Sequence, residues 1–174
     1  PTADLNDTVY IDTLLNTSAR GYVYKIELYN HTPGDDFMIG EPGVASSVFL
    51  TAAPGDRKMR FTVSRNVPWI NSKYDFYRYN GISGTWDLAG TTDQLTWADT
   101  GLKNGTEYCY YVQSEGEYSG PGTPKNLINL SQKTCAVPVD NEAPCTPALK
   151  VTSQCDSLYN TVRWTVTDTA CFND

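Results

Sequence analysis

Short runs in which apolar or aromatic residues alternate with polar ones fill most of this chain. Clusters of Gly, Pro, Asn and Asp interrupt them roughly every 8 to 12 residues. A period of two sends successive side chains to opposite faces of an extended strand, so each run predicts a strand with one apolar face. Arg60-Phe61-Thr62-Val63 and Tyr108-Cys109-Tyr110-Tyr111-Val112 are the clearest cases. Between residues 47 and 139 the pattern predicts strands at Phe49 to Ala53, Lys58 to Ser64, Tyr74 to Tyr79, Thr85 to Gly90, Leu95 to Asp99, Glu107 to Ser114 and Asn126 to Ala136. Short strands joined by turns in this number make one sandwich of two antiparallel sheets. Alternation turns Phe61, Phe76, Trp97, Leu102, Tyr108, Tyr110 and Val112 into its core.

The pattern also repeats. Tyr10-Ile11-Asp12-Thr13-Leu14-Leu15 returns 87 residues later as Trp97-Ala98-Asp99-Thr100-Gly101-Leu102. An aromatic strand follows each copy, Tyr22-Val23-Tyr24-Lys25-Ile26 and then Tyr108-Cys109-Tyr110-Tyr111-Val112, with one more residue between Leu15 and Tyr22 than between Leu102 and Tyr108. Arg60-Phe61-Thr62-Val63 returns 103 residues later as Arg163-Trp164-Thr165-Val166. On this frame residues 1–46 hold the last three strands of a preceding unit, 47–139 a complete unit, and 140–174 a linker and the first two strands of a following one. A partial sandwich exposes strand edges and half a core, so the flanks are expected to need a covering partner.

Composition agrees with strands over helices: among 174 residues are twelve Tyr, twenty-one Thr and ten Pro against two Met. Hydrophobic residues at 40% and aromatics at 12% suffice to fill ordinary cores. A net charge of −7 repels phosphate, which argues against nucleic acid or anionic lipid as a partner. No apolar run approaches the roughly 20 residues of a membrane span, and Pro1 follows no leader, so the chain reads as a mature or excised segment.

Leu102-Lys103-Asn104-Gly105-Thr106-Glu107-Tyr108 resembles the tyrosine corner of fibronectin type III modules, where a Tyr opening a strand bonds back across the preceding corner. Phe61 and Trp164 stand where that family has its core Trp. The resemblance implies an all-β fold of tandem immunoglobulin-like (fibronectin type III) β-sandwiches, one complete and two partial. A narrower resemblance covers residues 100 to 174. Asn104-Gly105-Thr106-Glu107-Tyr108-Cys109-Tyr110-Tyr111-Val112, Leu127-Ile128-Asn129-Leu130-Ser131-Gln132 and Cys135-Ala136-Val137-Pro138-Val139-Asp140-Asn141-Glu142-Ala143-Pro144-Cys145 are similar to the repeats of large Bacteroidota surface proteins of the gliding motility-associated kind. That resemblance implies type 9 secretion and an extracellular, cell-surface location. Its implied partners are neighbouring modules of the same chain, the secretion machinery during export, and surface glycans or other surface proteins. It also gives meaning to Asp followed by Ser or Thr and a small or aliphatic residue, an O-glycan acceptor pattern in Bacteroidota. The pattern marks Thr8, Thr13, Ser157 and Thr169 as candidates, with turn-building by Asp-Thr pairs as the competing reading, strongest at Thr13.

Catalytic chemistry finds little material. The single His31 falls on an expected loop, Asp35, Asp36 and Asp99 fall in expected turns, and no phosphate loop, zinc spacing or calcium loop is present, so neither a catalytic nor a metal site nor a cofactor is expected. Trp69, Tyr79, Trp86 and Tyr118 lie in or beside expected loops, where exposed rings could stack on a glycan. Packing is the preferred alternative: Trp86 alternates with Leu88 and so should face the core, and Trp69 after Pro68 should plug one end.

The five cysteines all lie in the last 66 residues and none forms a Cys-x-x-Cys pattern, which suits disulfides in an oxidising compartment. Cys109 and Cys135 fall near opposite one another on strands joined by a hairpin centred near residue 122, so they can pair. Cys155 and Cys171 flank one strand of eight residues, about 26 Å long, and should not pair. Cys145 to Cys171 is the permitted bridge, and Cys155 is left for a strand beyond Asp174. The expected role is a non-catalytic stalk, spacer or adhesin module; the alternative is an accessory glycan-binding module of a secreted polysaccharide-degrading enzyme.

Overall fold

A computed structural model describes residues 8–40, 43–141 and 145–166 of the chain. Its strands are β1 (Val23–Tyr24), β2 (Leu28–Thr32), β3 (Asp35–Gly40), β4 (Ala45–Ser46), β5 (Phe49–Gly55), β6 (Lys58–Ser64), β7 (Ile70–Asn80) and β8 (Thr85–Thr92). They continue as β9 (Thr96–Thr100), β10 (Tyr108–Glu117), β11 (Leu127–Leu130), β12 (Thr134–Ala136), β13 (Ala148–Gln154) and β14 (Tyr159–Thr165). The only helical element among the described residues is one 3-10 turn, Cys155–Ser157. The protein is all-β and every pairing is antiparallel.

Two sheets carry the core. One has the order β5-β6-β9; in the other β11, β10, β7 and β8 lie side by side and β12 continues the β11 side of β10. Period-two patterning makes β6 alternate between buried and solvent-facing residues, burying Met59, Phe61 and Val63. Phe76, Tyr110 and Val112 meet them from the opposite sheet, with the Phe61 ring 4.5 Å from that of Tyr110 and 5.6 Å from that of Phe76. Trp97 stacks on Phe61 at 5.8 Å and lies so close to Gly90 that any side chain there would strike its ring. The seven expected core residues are all inward, Trp97 and Tyr108 being partly buried against the rest. Val48, Leu50 and Tyr74 join them.

The strand expected from Asn126 to Ala136 is instead two, β11 and β12. Gln113 pairs with Leu130 but Tyr110 pairs with Thr134, so one side advances three residues and the other four. Ser131 fills the gap: its N–H donates to the Val112 carbonyl and its hydroxyl accepts from the Val112 N–H, both at 2.9 Å. The extra residue frees Gln132 to reach across to the other sheet. Its side-chain oxygen accepts from the Leu50 N–H at 3.0 Å and its amide nitrogen donates to the Leu50 carbonyl at 2.6 Å. A side chain thus supplies the first residues of β5 with the partner that a further strand would provide.

The flanks are short of partners. In the first, residues 10 to 15 form no strand, and the run from Tyr22 to Ile26 yields only the two-residue β1, paired with β4. The equivalent strand β9 exists because β6 lies beside it, and residues 8–40 contain no counterpart of β6. β2 and β3 form a hairpin, as do β13 and β14. Tyr10 is 84% exposed and Trp164 67%, whereas their counterparts Trp97 and Phe61 line the core.

Candidate functional site

The aromatic candidates separate into two pairs. Tyr79 and Trp86 sit directly opposite one another on β7 and β8, with ring centroids 5.3 Å apart. Trp86 also meets Tyr111 edge-on at 4.9 Å, Tyr111 stacks on Tyr77 at 4.9 Å, and the Lys133 ammonium lies 5.3 Å over the indole. These rings form a belt on the outer face of the larger sheet, beside Leu88, which is 57% exposed. The expectation that Trp86 and Leu88 face the core is therefore wrong. Phe76 pairs with Gly90 but Tyr77 pairs with Leu88, and the extra residue, Ala89, makes a bulge that reverses the facing of everything before it on β8.

Trp69 and Tyr118 form the other pair, edge to face at 5.8 Å. Trp69 immediately precedes β7 and Tyr79 is its penultimate residue, so the two pairs lie about 30 Å apart along one strand. The Trp69 N–H donates to the Asn71 side chain at 2.8 Å, and its ring lies against the bare backbone of Gly116, where an added Cβ would come within 2.8 Å of it. Trp69 is thus half-buried and hydrogen-bonded, held by Asn71, Gly116 and Tyr118.

Asp99 and Asp75 are the carboxylates with structural partners that alternation did not reveal. Asp99, expected where a strand passes into a turn, lies within β9, where it accepts from the Arg78 guanidinium at 2.7 Å and from the Tyr110 hydroxyl at 2.8 Å. Burial first, and then this hydrogen bond to a carboxylate, push the Tyr110 hydroxyl well above the ordinary phenol range. Asp75 is buried on β7 and accepts from Lys73 at 2.9 Å and Thr91 at 2.7 Å. Lys73 also reaches Glu115 at 3.2 Å, and its hydrogen bonds to Asp75 and Glu115 raise its pKa. His31 and Asp36, both expected outside strands, lie on β2 and β3 as an exposed pair, Nδ1 to Oδ1 3.0 Å. Asp35 likewise opens β3 instead of lying in the turn before it.

Cys109 and Cys135 face each other across β10 and β12 and are joined by a disulfide. The Glu107 carboxylate lies beside them, but with both sulfurs committed to each other it has no thiolate with which to share a metal. Cys155 is a free, exposed thiol in the 3-10 turn between β13 and β14. The Cys145 to Cys171 bridge involves Cys171, outside the described residues, as is Thr169. Thr8 and Thr13 are exposed, and so is Ser157 on the hairpin turn.

The sequence repeat has a structural counterpart. Lys103 N–H donates to the Tyr108 hydroxyl at 3.1 Å, and Asn16 N–H to the Tyr22 hydroxyl at 3.0 Å. Tyr110 donates to Asp99 and Tyr24 to Asp12, at 2.8 and 3.3 Å. Gly101 and Leu14 both adopt left-handed backbone, φ 73° and 65°. The extra residue before Tyr22 is absorbed without loss of either bond. Among known proteins, no family model and no curated sequence matches this chain.

Proposed function

We propose that the chain is a non-catalytic extracellular segment of tandem fibronectin type III-like modules, acting as a stalk, spacer or adhesin module of a type 9 secreted cell-surface protein. The observation that carries the reading is the double set of bonds: the same corner and the same Asp–Tyr contact occur at Tyr22 and Tyr24 and again at Tyr108 and Tyr110. A chain that builds the same local architecture twice, 87 residues apart, suits an extended array in which each unit contacts only its neighbours. Its neighbours in the array are its primary partners. A disulfide across adjacent strands of the complete unit suits an oxidising exterior.

A second reading, an accessory glycan-binding module of a secreted polysaccharide-degrading enzyme, draws on the outward Tyr79–Trp86 pair. A glycan array separates the two. The stalk reading expects no specific binding; a hit lost in Trp86→Ala and Tyr79→Ala would overturn it in favour of the second.

A further inference from the structure

The disulfide of the central unit joins directly opposite residues, Cys109 on β10 and Cys135 on β12. Glu107 stands two residues before Cys109, and a period of two brings its side chain to the same face. Its carboxylate and the two sulfurs all lie within 4.8 Å of one another. Among the described residues no other three His, Cys, Asp or Glu side chains gather so closely. Glu107 and Cys135 are exposed and Cys109 is half-buried, so the cluster opens to solvent. No cation competes for it: among the described residues the Glu107 carboxylate has no hydrogen-bond or ion-pair partner, and Lys133, two residues before Cys135, is directed over the Trp86 ring.

We propose that reduction converts this disulfide into a zinc site, with the Cys109 and Cys135 thiolates and the Glu107 carboxylate as three ligands and water as the fourth. A dithiol reductant breaks the S–S bond, delivering two electrons and two protons and ending as a disulfide itself. Zinc then displaces both thiol protons to solvent. Two sulfurs with one oxygen suit Zn2+, whereas Ca2+ and Mg2+ take oxygen ligands.

The strand pairing makes the exchange easy. Opposite residues of an antiparallel pair hold their Cβ atoms about 4.5 to 5.5 Å apart, and two thiolates bound tetrahedrally to zinc stand about 3.8 Å apart. Side-chain rotation alone therefore admits the ion, and the backbones of β10 and β12 keep their register. The three-residue β12 is held to β10 by a bond in one redox state and by a metal in the other. Thiols are kept reduced inside cells, so the site is open to the chain before it meets an oxidising exterior.

The test uses the full chain carrying Cys145→Ser, Cys155→Ser and Cys171→Ser, which leaves Cys109 and Cys135 as its only cysteines. After reduction by a dithiol and anaerobic removal of the reductant, it is titrated with Co2+ as an optical probe and then with Zn2+ as competitor. A thiolate-to-cobalt charge-transfer band should saturate at one ion per chain, yield to Zn2+ and be absent from the oxidised chain. Glu107→Gln should keep the band and weaken binding about tenfold or more, and Cys135→Ser should abolish it. Urea unfolding followed by tryptophan fluorescence reads the same site through stability: the midpoint of the reduced chain should rise with zinc concentration, and that of the oxidised chain should not. The proposal is overturned by a reduced chain without the band, by half an ion per chain, by unchanged affinity in Glu107→Gln, or by a reduced midpoint that zinc leaves in place.

Discussion

Tyr108 and Tyr22 each accept one backbone hydrogen bond through the ring hydroxyl, but only Tyr108 belongs to a complete core. Tyr108→Phe keeps the packing and leaves the exposed Lys103 N–H to water, so it should destabilise the central unit by about 0.5 to 1.5 kcal/mol in urea unfolding. Tyr22→Phe should leave that transition where it is, and equal shifts for the two would contradict the assignment of Tyr22 to a separate, incomplete unit. Tyr110 gives a pH prediction. Its folded pKa is raised by burial and by Asp99, so the unfolded chain, with an ordinary phenol near pH 10, releases this proton first. The stabilisation is complete below about pH 10 and is lost above it, at about 1.4 kcal/mol per pH unit. Tyr110→Phe should be less stable at neutral pH yet lose stability less steeply above pH 10, as measured by denaturant unfolding across that range. Asp99 itself was read from sequence as a turn residue, because an Asp before Thr and Gly has that local signature. The expected strand ends at Asp99, and its partners Arg78 and Tyr110, remote in sequence, are seen only in the structure.

The places of most strands and the inward residues on β6 and β10 were legible because a period of two is imposed by the strand itself, and the long alternating runs there left little choice of face. Bulges were not legible. The one at Tyr77 turned Trp86 outward, and the one at Ser131 split the last strand of the unit, each by inserting one residue whose effect depends on a partner strand remote in sequence. Gln132 was missed for the same reason, since only the second bulge aims it at Leu50. Gln132→Ala removes both bonds to β5 and should cost about 1 to 3 kcal/mol by chemical denaturation, with Gln132→Glu restoring only the half that accepts from the Leu50 N–H. The Cys109–Cys135 bond closes a separation of 26 residues between β10 and β12, so Cys109→Ala combined with Cys135→Ala should cost about 3 to 4 kcal/mol while the sheet order persists.

Among the described residues one sandwich holds the buried core and short hairpins lie on either side of it in sequence, and stability should be distributed accordingly. Ser46 to Pro138 holds the buried core, the clamp from Gln132 and the disulfide. Residues 8–40 and 145–166 offer hairpins whose apolar faces meet water, an arrangement that opens locally at little cost. Hydrogen exchange followed by mass spectrometry, on the intact chain at a dilution where it is monomeric, measures this distribution directly. Slow amides should be confined to β5 through β12 and their connection at Ser46, opening at close to the global unfolding free energy, while β2, β3, β13 and β14 exchange orders of magnitude faster. Protection of β13 and β14 in the monomer equal to that of β6 and β10 would contradict the division into one complete unit and two partial ones.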